Sequence, residues 1–271
     1  MRFGCCINMV TRTQNVSGID VIPVMKELGY DYAELSLSDL CAMNDTGFNQ
    51  IQAELEEIGL PIEVCNNFFP ADVKLTGSSV NQGIITRYLD KAFQRTSALG
   101  VKVIVFGSGL ARMVPKGFPM DKAIAQLSDL LNLINQYAQQ YDITIAIEPL
   151  RKQECNIVNT YLEALHLAEI TNASNIRCLL DYFHLSEEKE SISIIQTDTK
   201  KLAHVHFAEP VGRVFPDPVI KPGYRTFFMN ILNIGYRERV SIEAYSENFK
   251  HDAKIALNLL KNIENELNHQ L

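Results

Sequence analysis

The sequence has no tryptophan, no surplus of basic residues and no long apolar run. Its formal net charge of −7 makes a polyanion such as DNA an unfavourable partner, so we expect no nucleic acid to bind. No apolar stretch reaches the roughly 18 residues that a membrane helix needs. The start, MRFGCCINMV, lacks the pattern of a signal peptide. We therefore expect no membrane partner and no secretion.

Cysteine is present, but without the spacing of a redox or metal motif. The six cysteines lie at positions 5, 6, 41, 65, 155 and 178, and no CxxC pair occurs among them. Four of them, at positions 5, 6, 65 and 178, fall inside predicted strands. This indicates reduced thiols in a cytoplasmic protein.

The chain is long enough, at 271 residues with 46% hydrophobic content, to bury a substantial core. No low-complexity tract or Gly/Ser-rich linker marks a boundary within it. We therefore expect one domain over residues 1–271.

Eight apolar segments alternate with eight amphipathic ones. We predict strands over residues 2–9, 30–37, 61–67, 101–106, 143–150, 176–181, 202–207 and 239–244. We predict helices over residues 18–28 (capped by Ser17), 48–58, 80–99, 120–141, 160–170, 187–197, 225–232 and 251–267, with a long loop over 211–223 that suits a lid. This alternation favours an α/β fold, a (β/α)₈ barrel with its catalytic groups at the C-terminal ends of the strands. A doubly wound sheet, the alternative, needs a glycine-rich turn after the first strand, and none is present.

The last four predicted strands share one feature, a metal-binding type of side chain at the C-terminal end. In ITIAIEPL, residues 143–150, the three isoleucines face one side and Glu148 closes the other. The next strands end in the same way, in Asp181, His206 and Glu243. Three carboxylates and one imidazole suit Mn²⁺ or Mg²⁺, with Co²⁺ or Zn²⁺ as further options. The sequence therefore predicts a site for one divalent metal ion, with Mn²⁺ favoured.

These motifs give the chain a resemblance to the xylose isomerase-like barrels, and within them to the sugar phosphate isomerase/epimerase family that includes D-tagatose (D-psicose) 3-epimerases. The resemblance runs nearly end to end. It is carried by NNFFP at 66–70, FGSGLAR at 106–112, EPLRKQECN at 148–156, DYFH at 181–184, HVHFAEP at 204–210 and Glu243.

The resemblance implies roles for particular residues. It implies that Glu148, Asp181, His206 and Glu243 bind the metal and that the two glutamates exchange the proton. It further implies substrate contacts from His184, Glu154 and Arg213. In the ketose 3-epimerases the arginine follows the histidine ligand by six residues, whereas here it follows by seven. Those enzymes also place tryptophans around the sugar, and this chain has none.

The leading hypothesis is a metal-dependent epimerase or isomerase of a small keto sugar, phosphorylated or not, that works through a cis-enediolate. A homodimer or homotetramer is also expected. The alternatives on the same barrel are an aldose–ketose isomerase such as hydroxypyruvate isomerase, whose family carries Gln at the position of His206, and an inosose dehydratase. An endonuclease IV-like phosphodiester hydrolase would need further histidines on strands two and three. A non-catalytic sugar-binding barrel would leave two opposed glutamates unexplained.

Other polar residues have weaker signals. His204 and His206 are predicted to face inward, opposite Ala203 and Val205, with His204 one layer lower as a buried, hydrogen-bonded side chain. Glu34 is predicted to face inward, as a substrate contact or a structural acid. The turn Gly107-Ser108-Gly109 suits backbone contact with a ligand or a tight βα turn, and Lys221, like Arg213, suits a phosphate or solvent.

Overall fold

The computed structural model describes residues 1–10, 18–197 and 200–269 of the chain. Its centre is a closed barrel in which eight parallel strands pair in sequence order and β8 closes onto β1. The strands are β1 (Arg2–Cys6), β2 (Tyr32–Ser36), β3 (Ile62–Asn66), β4 (Val103–Phe106), β5 (Thr144–Ile147), β6 (Ile176–Asp181), β7 (Leu202–Phe207) and β8 (Arg239–Ile242). The predicted (β/α)₈ architecture is confirmed.

Helices cover the outside of the barrel. They are α1 (Ile22–Leu28), α2 (Leu37–Ala42), α3 (Asp45–Ile58), α4 (Gln82–Ala98), α5 (Gly109–Arg112), α6 (Met120–Tyr141), α7 (Tyr161–Thr171), α8 (Tyr182–Glu187), α9 (Pro222–Asn233) and α10 (Phe249–Asn268). The predicted N-cap Ser17 lies outside the described residues. Among the described residues, no helix combines the length and apolar character that crossing a membrane requires.

Sequence periodicity missed the three shortest helices, α2, α5 and α8. Each follows a strand within two residues and spans only four to six residues, too few to show a 3.6-residue period. The helix predicted over 187–197 is wrong: α8 ends at Glu187, and a 3₁₀ helix follows over Ile192–Thr197. The 211–223 loop contains a 3₁₀ turn at Val211–Arg213, and α9 begins within it.

The buried side chains form two layers. The outer, larger layer packs the barrel against the helices. The inner cluster fills the lower barrel and consists of Tyr32, Val64, Val103, Val105, Ala146, Leu179 and Ala203. A barrel of eight strands has just enough interior for such side chains, so the centre is a packed core rather than a channel.

The predicted orientation of Ala203 is wrong. Ala203 belongs to the inner cluster, although its neighbour His204 also lies inside the barrel. The register between β6 and β7 shifts here: Cys178 pairs with Leu202, but Leu179 pairs with His204. A bulge of this kind places consecutive residues on one face, which simple alternation cannot anticipate.

Candidate active site

Four polar side chains converge above the inner cluster, at the C-terminal ends of β5 to β8. They are Glu148, Asp181, His206 and Glu243, and one ligand-type atom from each lies within 4.8 Å of the others. All four are buried. His206 Nδ1 is at the middle, 3.1 Å from Glu148 Oε1 and 3.2 Å from Glu243 Oε2. The four residues that the strand ends singled out therefore do come together in space.

The two carboxylate oxygens of Asp181 have different surroundings: Oδ1 caps a helix, and Oδ2 faces the site. Its Oδ1 caps α8 by accepting from the backbone N–H of Phe183 at 2.6 Å and that of His184 at 3.4 Å. Its Oδ2 is buried, and among the described residues it has no hydrogen-bond partner. Because burying an unpaired carboxylate oxygen is costly, this atom is expected to receive a ligand.

Glu148 depends on two neighbours that the motif FGSGLAR supplies. A Cβ added to Gly107 would lie 2.2 Å from Glu148 Oε2, so the carboxylate occupies the space that any other residue there would fill. Behind it, the fully buried guanidinium of Arg112 donates to the carbonyl oxygen of Glu148 at 2.7 Å and to that of Phe106 at 2.9 Å. Arg112 thereby joins the ends of β4 and β5, a role that the sequence did not reveal.

We expect Gly107→Ala to damage the site and spare the fold. The only close contact of the new methyl group is the mobile end of Glu148, so the carboxylate must move while the backbone stays. Metal affinity should fall roughly 10–100-fold, as for other disturbances of a ligand's surroundings, with little change in melting temperature. Calorimetry with Mn²⁺ and thermal unfolding would measure both.

Gly83→Ala is the matched control, because Gly83 is exposed in α4 and its added Cβ would make only ordinary contacts, 3.4 Å from Asn81 Oδ1 and farther elsewhere. Wild-type metal binding in Gly107→Ala would show that Glu148 does not need its present position.

Below the four residues lies a buried carboxylate between two histidines. Glu34 on β2 accepts from His204 Nε2 at 3.0 Å and from His206 Nε2 at 2.9 Å, and all three side chains are fully buried. The prediction that His204 is a buried, hydrogen-bonded histidine is confirmed. Of the two readings of Glu34, the structure favours the structural acid.

Glu243 is held from two sides. The guanidinium of Arg213 forms a close ion pair with its Oε2, and the amide of Asn66 at the end of β3 donates to its Oε1 at 3.4 Å. Asn66 also donates to Asn8 Oδ1 at 3.1 Å. In the sequence, Asn66 stands out only as part of the motif NNFFP, because an asparagine at a strand end carries no specific chemical signal.

The three residues implied as substrate contacts lie around the same site. His184 is buried in α8, with its Nε2 3.6 Å from Asp181 Oδ2 and its Nδ1 accepting from the Arg151 N–H at 3.2 Å. Glu154 is partly exposed and lies 3.6 Å from Arg213 Nη1.

Arg213 reaches the site despite its seven-residue spacing from His206. Both Gly212 and Arg213 adopt left-handed backbone conformations, with φ of 83° and 49°. Backbone hydrogen bonds hold this turn, from Glu209 N to Val214 O at 2.9 Å and from Tyr245 N to Arg213 O at 2.8 Å. The tight turn allows the chain to fold back, so the guanidinium points at Glu243.

The two glutamates sit in different electrostatic environments. Burial and the nearby charge of Glu243 raise the pKa of Glu148. Burial also acts on Glu243, but the positive charges of Arg213 and His206 outweigh it and hold the pKa of Glu243 well below its usual range. Two carboxylates whose pKa values are pushed apart are suited to opposite roles in proton transfer.

Glu148, Glu154, Arg213 and Glu243 line a cavity of about 510 Å³ that opens at the C-terminal face of the barrel. Its other walls are small, amide or aliphatic side chains: Asn8, Met9, Asn67, Gly107, Ser108, Gly109, Leu110, Met113, Leu150 and Gln153. Lys221 is not among the lining residues; it pairs with Glu209 at 2.6 Å. The cavity is large enough for a small ligand.

The residues present fit a divalent cation. Three carboxylates and one imidazole converge, and the orphaned Oδ2 of Asp181 lies 3.8 Å from the nearest guanidinium nitrogen, that of Arg213. Oxygen-rich sets with a single imidazole suit hard or borderline divalent ions.

The chain belongs to the xylose isomerase-like TIM barrel family, whose pattern matches residues 22–265. Its relatives include sugar epimerases. The L-ribulose 3-epimerase of Mesorhizobium japonicum is 24% identical over 229 residues, 82% of this chain and 73% of that protein. The 3-dehydro-D-guloside 4-epimerase of Escherichia coli (strain K12) is 23% identical over 199 residues, 68% of this chain and 71% of that protein.

Solved structures confirm the fold. The D-psicose 3-epimerase of Clostridium cellulolyticum H10, crystallised with D-tagatose, superposes with a TM-score of 0.82 at 19% identity, over 98% of this chain and 99% of that one. A family 2 AP endonuclease from Brucella melitensis superposes with a TM-score of 0.76 at 18% identity, over 94% of this chain and 97% of that one. At these identities the likeness concerns architecture alone.

Proposed function

We propose that the protein is a divalent-metal-dependent epimerase of a small keto sugar, with Glu148 and Glu243 exchanging the proton. The observation that carries the proposal is their arrangement: two buried glutamates from strands five and eight meet at one imidazole and line one cavity. The 3- and 4-epimerases among the relatives support the same chemistry.

Glu148, Asp181, His206 and Glu243 would hold the metal ion, for which Mn²⁺ is our first choice. When bound, the ion would supply Lewis-acid polarisation of the sugar carbonyl, which acidifies the adjacent C–H. Burial of the four side chains keeps bulk water from competing for the donor atoms.

The glutamates then act as a proton-exchanging pair. A carboxylate oxygen of one takes the proton from the carbon beside the carbonyl, which leaves a cis-enediolate, and the other returns a proton to the opposite face. For one epimer, one of the two glutamates is the base and the other is the acid. The reverse reaction exchanges these roles.

The charges around the cavity favour an uncharged sugar over a sugar phosphate. Among the described residues that line the cavity there is one base, Arg213, and it is paired with Glu243. Near the mouth, Arg151 pairs with Glu154 and Glu187. We therefore assign the contacts with sugar oxygens to Arg213, Glu154 and His184.

A homodimer or homotetramer stays a prediction.

The phosphodiesterase alternative gains no support from the site. Where an endonuclease IV-like cluster needs histidines on strands two and three, the chain places Glu34 and Asn66. The inosose isomerase of Bacillus subtilis (strain 168), which matches 49% of this chain, keeps another sugar isomerisation as a second candidate.

The proposal predicts that a ketose is converted to its epimer and that chelation stops the reaction. Purified protein with Mn²⁺ should be incubated with D-psicose, D-tagatose, L-ribulose and a 3-keto-glucoside, before and after EDTA treatment. We expect a new diastereomer of unchanged mass from at least one of them, and none after EDTA until metal is restored. Products of lower mass by one water would indicate a dehydratase, and full activity without metal would contradict the proposal.

A further inference from the structure

The acid that lies beneath the site, Glu34, has no place in the reaction described above. It comes from β2, whereas the histidines it contacts come from β7, and strands β8 and β1 separate these two in the closed order. Glu34 therefore reaches across the barrel interior instead of contacting a neighbouring strand. Its side chain is fully buried and does not line the cavity, so it is out of reach of a sugar.

Both oxygens of Glu34 are engaged by imidazole nitrogens. Oε1 lies 2.9 Å from His206 Nε2 and Oε2 lies 3.0 Å from His204 Nε2. An ionised carboxylate only accepts hydrogen bonds, so both Nε2 atoms must carry hydrogen.

This fixes the other ring nitrogen of His206. With Nε2 donating downward, Nδ1 faces the carboxylates of Glu148 and Glu243, at 3.1 and 3.2 Å. Apart from Glu34, the neighbour of Nε2 among the described contacts is Cys6 Sγ at 3.8 Å, which cannot replace a carboxylate as an acceptor. A ligand imidazole is oriented and made more basic by a carboxylate on its second nitrogen.

We propose that Glu34 is the positioning residue of the metal site: it holds His206 Nε2–H so that Nδ1 is the nitrogen presented to the metal. His204 serves as the anchor of Glu34, because it binds the second carboxylate oxygen and prevents the side chain from rotating. The spacing H-x-H on β7 thus places two histidines on the same inward face. His206 is the metal ligand, and His204 holds the carboxylate of Glu34 that orients His206. This inference rests on the metal site of the proposed function, but not on the sugar chemistry.

The first test asks which nitrogen binds the metal. Protein labelled with ¹⁵N-histidine and loaded with ¹¹³Cd²⁺ should show a cadmium–nitrogen coupling at Nδ1 of His206, with Nε2 protonated. Coupling at Nε2 would overturn the proposal. Absence of cadmium binding at the four ligands would overturn it together with the metal site.

The second test removes the charge of Glu34 and keeps its shape. Glu34→Gln should weaken Mn²⁺ binding roughly 10–100-fold, the usual range for an outer partner of a ligand, and should disturb the His206 tautomer seen by ¹⁵N spectroscopy. Tyr32→Phe is the matched control, since it removes one fully buried polar atom from the same strand, and that hydroxyl bonds to Ser241 Oγ at 2.8 Å instead of to a histidine. Unchanged affinity and tautomer in Glu34→Gln would contradict the proposal.

These tests separate the two claims. Nδ1 coupling with no turnover of any ketose would sink the epimerase proposal and leave the role of Glu34 standing. Should Glu34→Gln fail to fold, the cadmium measurement on the wild-type protein still decides.

Discussion

Glu148→Gln and Glu243→Gln are expected to lower kcat by about 10²–10⁴-fold each, the contribution of general acid–base catalysis. An amide cannot take up or release the proton, yet its oxygen keeps the size and part of the metal-binding capacity of the carboxylate. Steady-state kinetics at saturating metal would measure the loss. A fall of this size in kcat, together with a folded and metal-bound protein, identifies a group that acts on the reacting atoms.

The two variants should also differ from each other. Glu243→Gln removes the closest charged partner of Arg213, so the guanidinium loses that ion pair and keeps its longer contacts with Glu154 at 3.6 Å and Asp181 at 3.8 Å. Glu148→Gln leaves that ion pair intact. Asp90→Asn is a suitable control, since this exposed carboxylate bonds to Tyr137 on the outer helices. If either glutamine variant kept wild-type kcat, the paired-glutamate mechanism would be wrong.

His206→Ala is expected to weaken Mn²⁺ binding by roughly two orders of magnitude or more, beyond the loss caused by a change in a ligand's surroundings. His206 supplies the one nitrogen ligand among the four proposed ligands Glu148, Asp181, His206 and Glu243. Its removal also takes away the hydrogen bond to Glu34 Oε1. Part of the effect should therefore appear as lower thermal stability. Calorimetric titration and thermal unfolding, recorded on the same preparation, separate the two losses.

His204→Gln is the comparison variant. A glutamine amide can still donate toward Glu34, so metal binding should fall far less than in His206→Ala. A larger loss of metal affinity in His204→Gln than in His206→Ala would mean that His204, and not His206, is the metal ligand on β7.

The barrel and the four converging residues could be predicted because each depends on local sequence. Strand alternation put Glu148, Asp181, His206 and Glu243 on the inward face, and the closed parallel order brings strand ends together whatever the details. The family resemblance supplied the implied roles of His184, Glu154 and Arg213, which no periodicity contains.

What could not be predicted depends on contacts between distant segments. Glu34 contacts His206, which lies 172 positions later in the sequence. Arg112, which follows β4, donates to the backbone carbonyl oxygen of Glu148 at the end of the neighbouring strand β5. The need for glycine at 107 follows from the position of one carboxylate oxygen. The inward turn of Ala203 follows from a bulge that pairing with β6 imposes.

Deuterium exchange at the substrate carbon tests the central claim most directly. An accepted ketose incubated with the metal-loaded protein in D₂O should gain deuterium on the carbon beside the carbonyl, at C3 for a 3-epimerase, because the proton that the second carboxylate delivers has exchanged with solvent. Mass spectrometry and NMR would locate the label, and Glu148→Gln or Glu243→Gln should suppress it. Conversion to the epimer with no deuterium at any carbon next to the carbonyl, under conditions where the carboxylates exchange, would contradict proton transfer by the two glutamates.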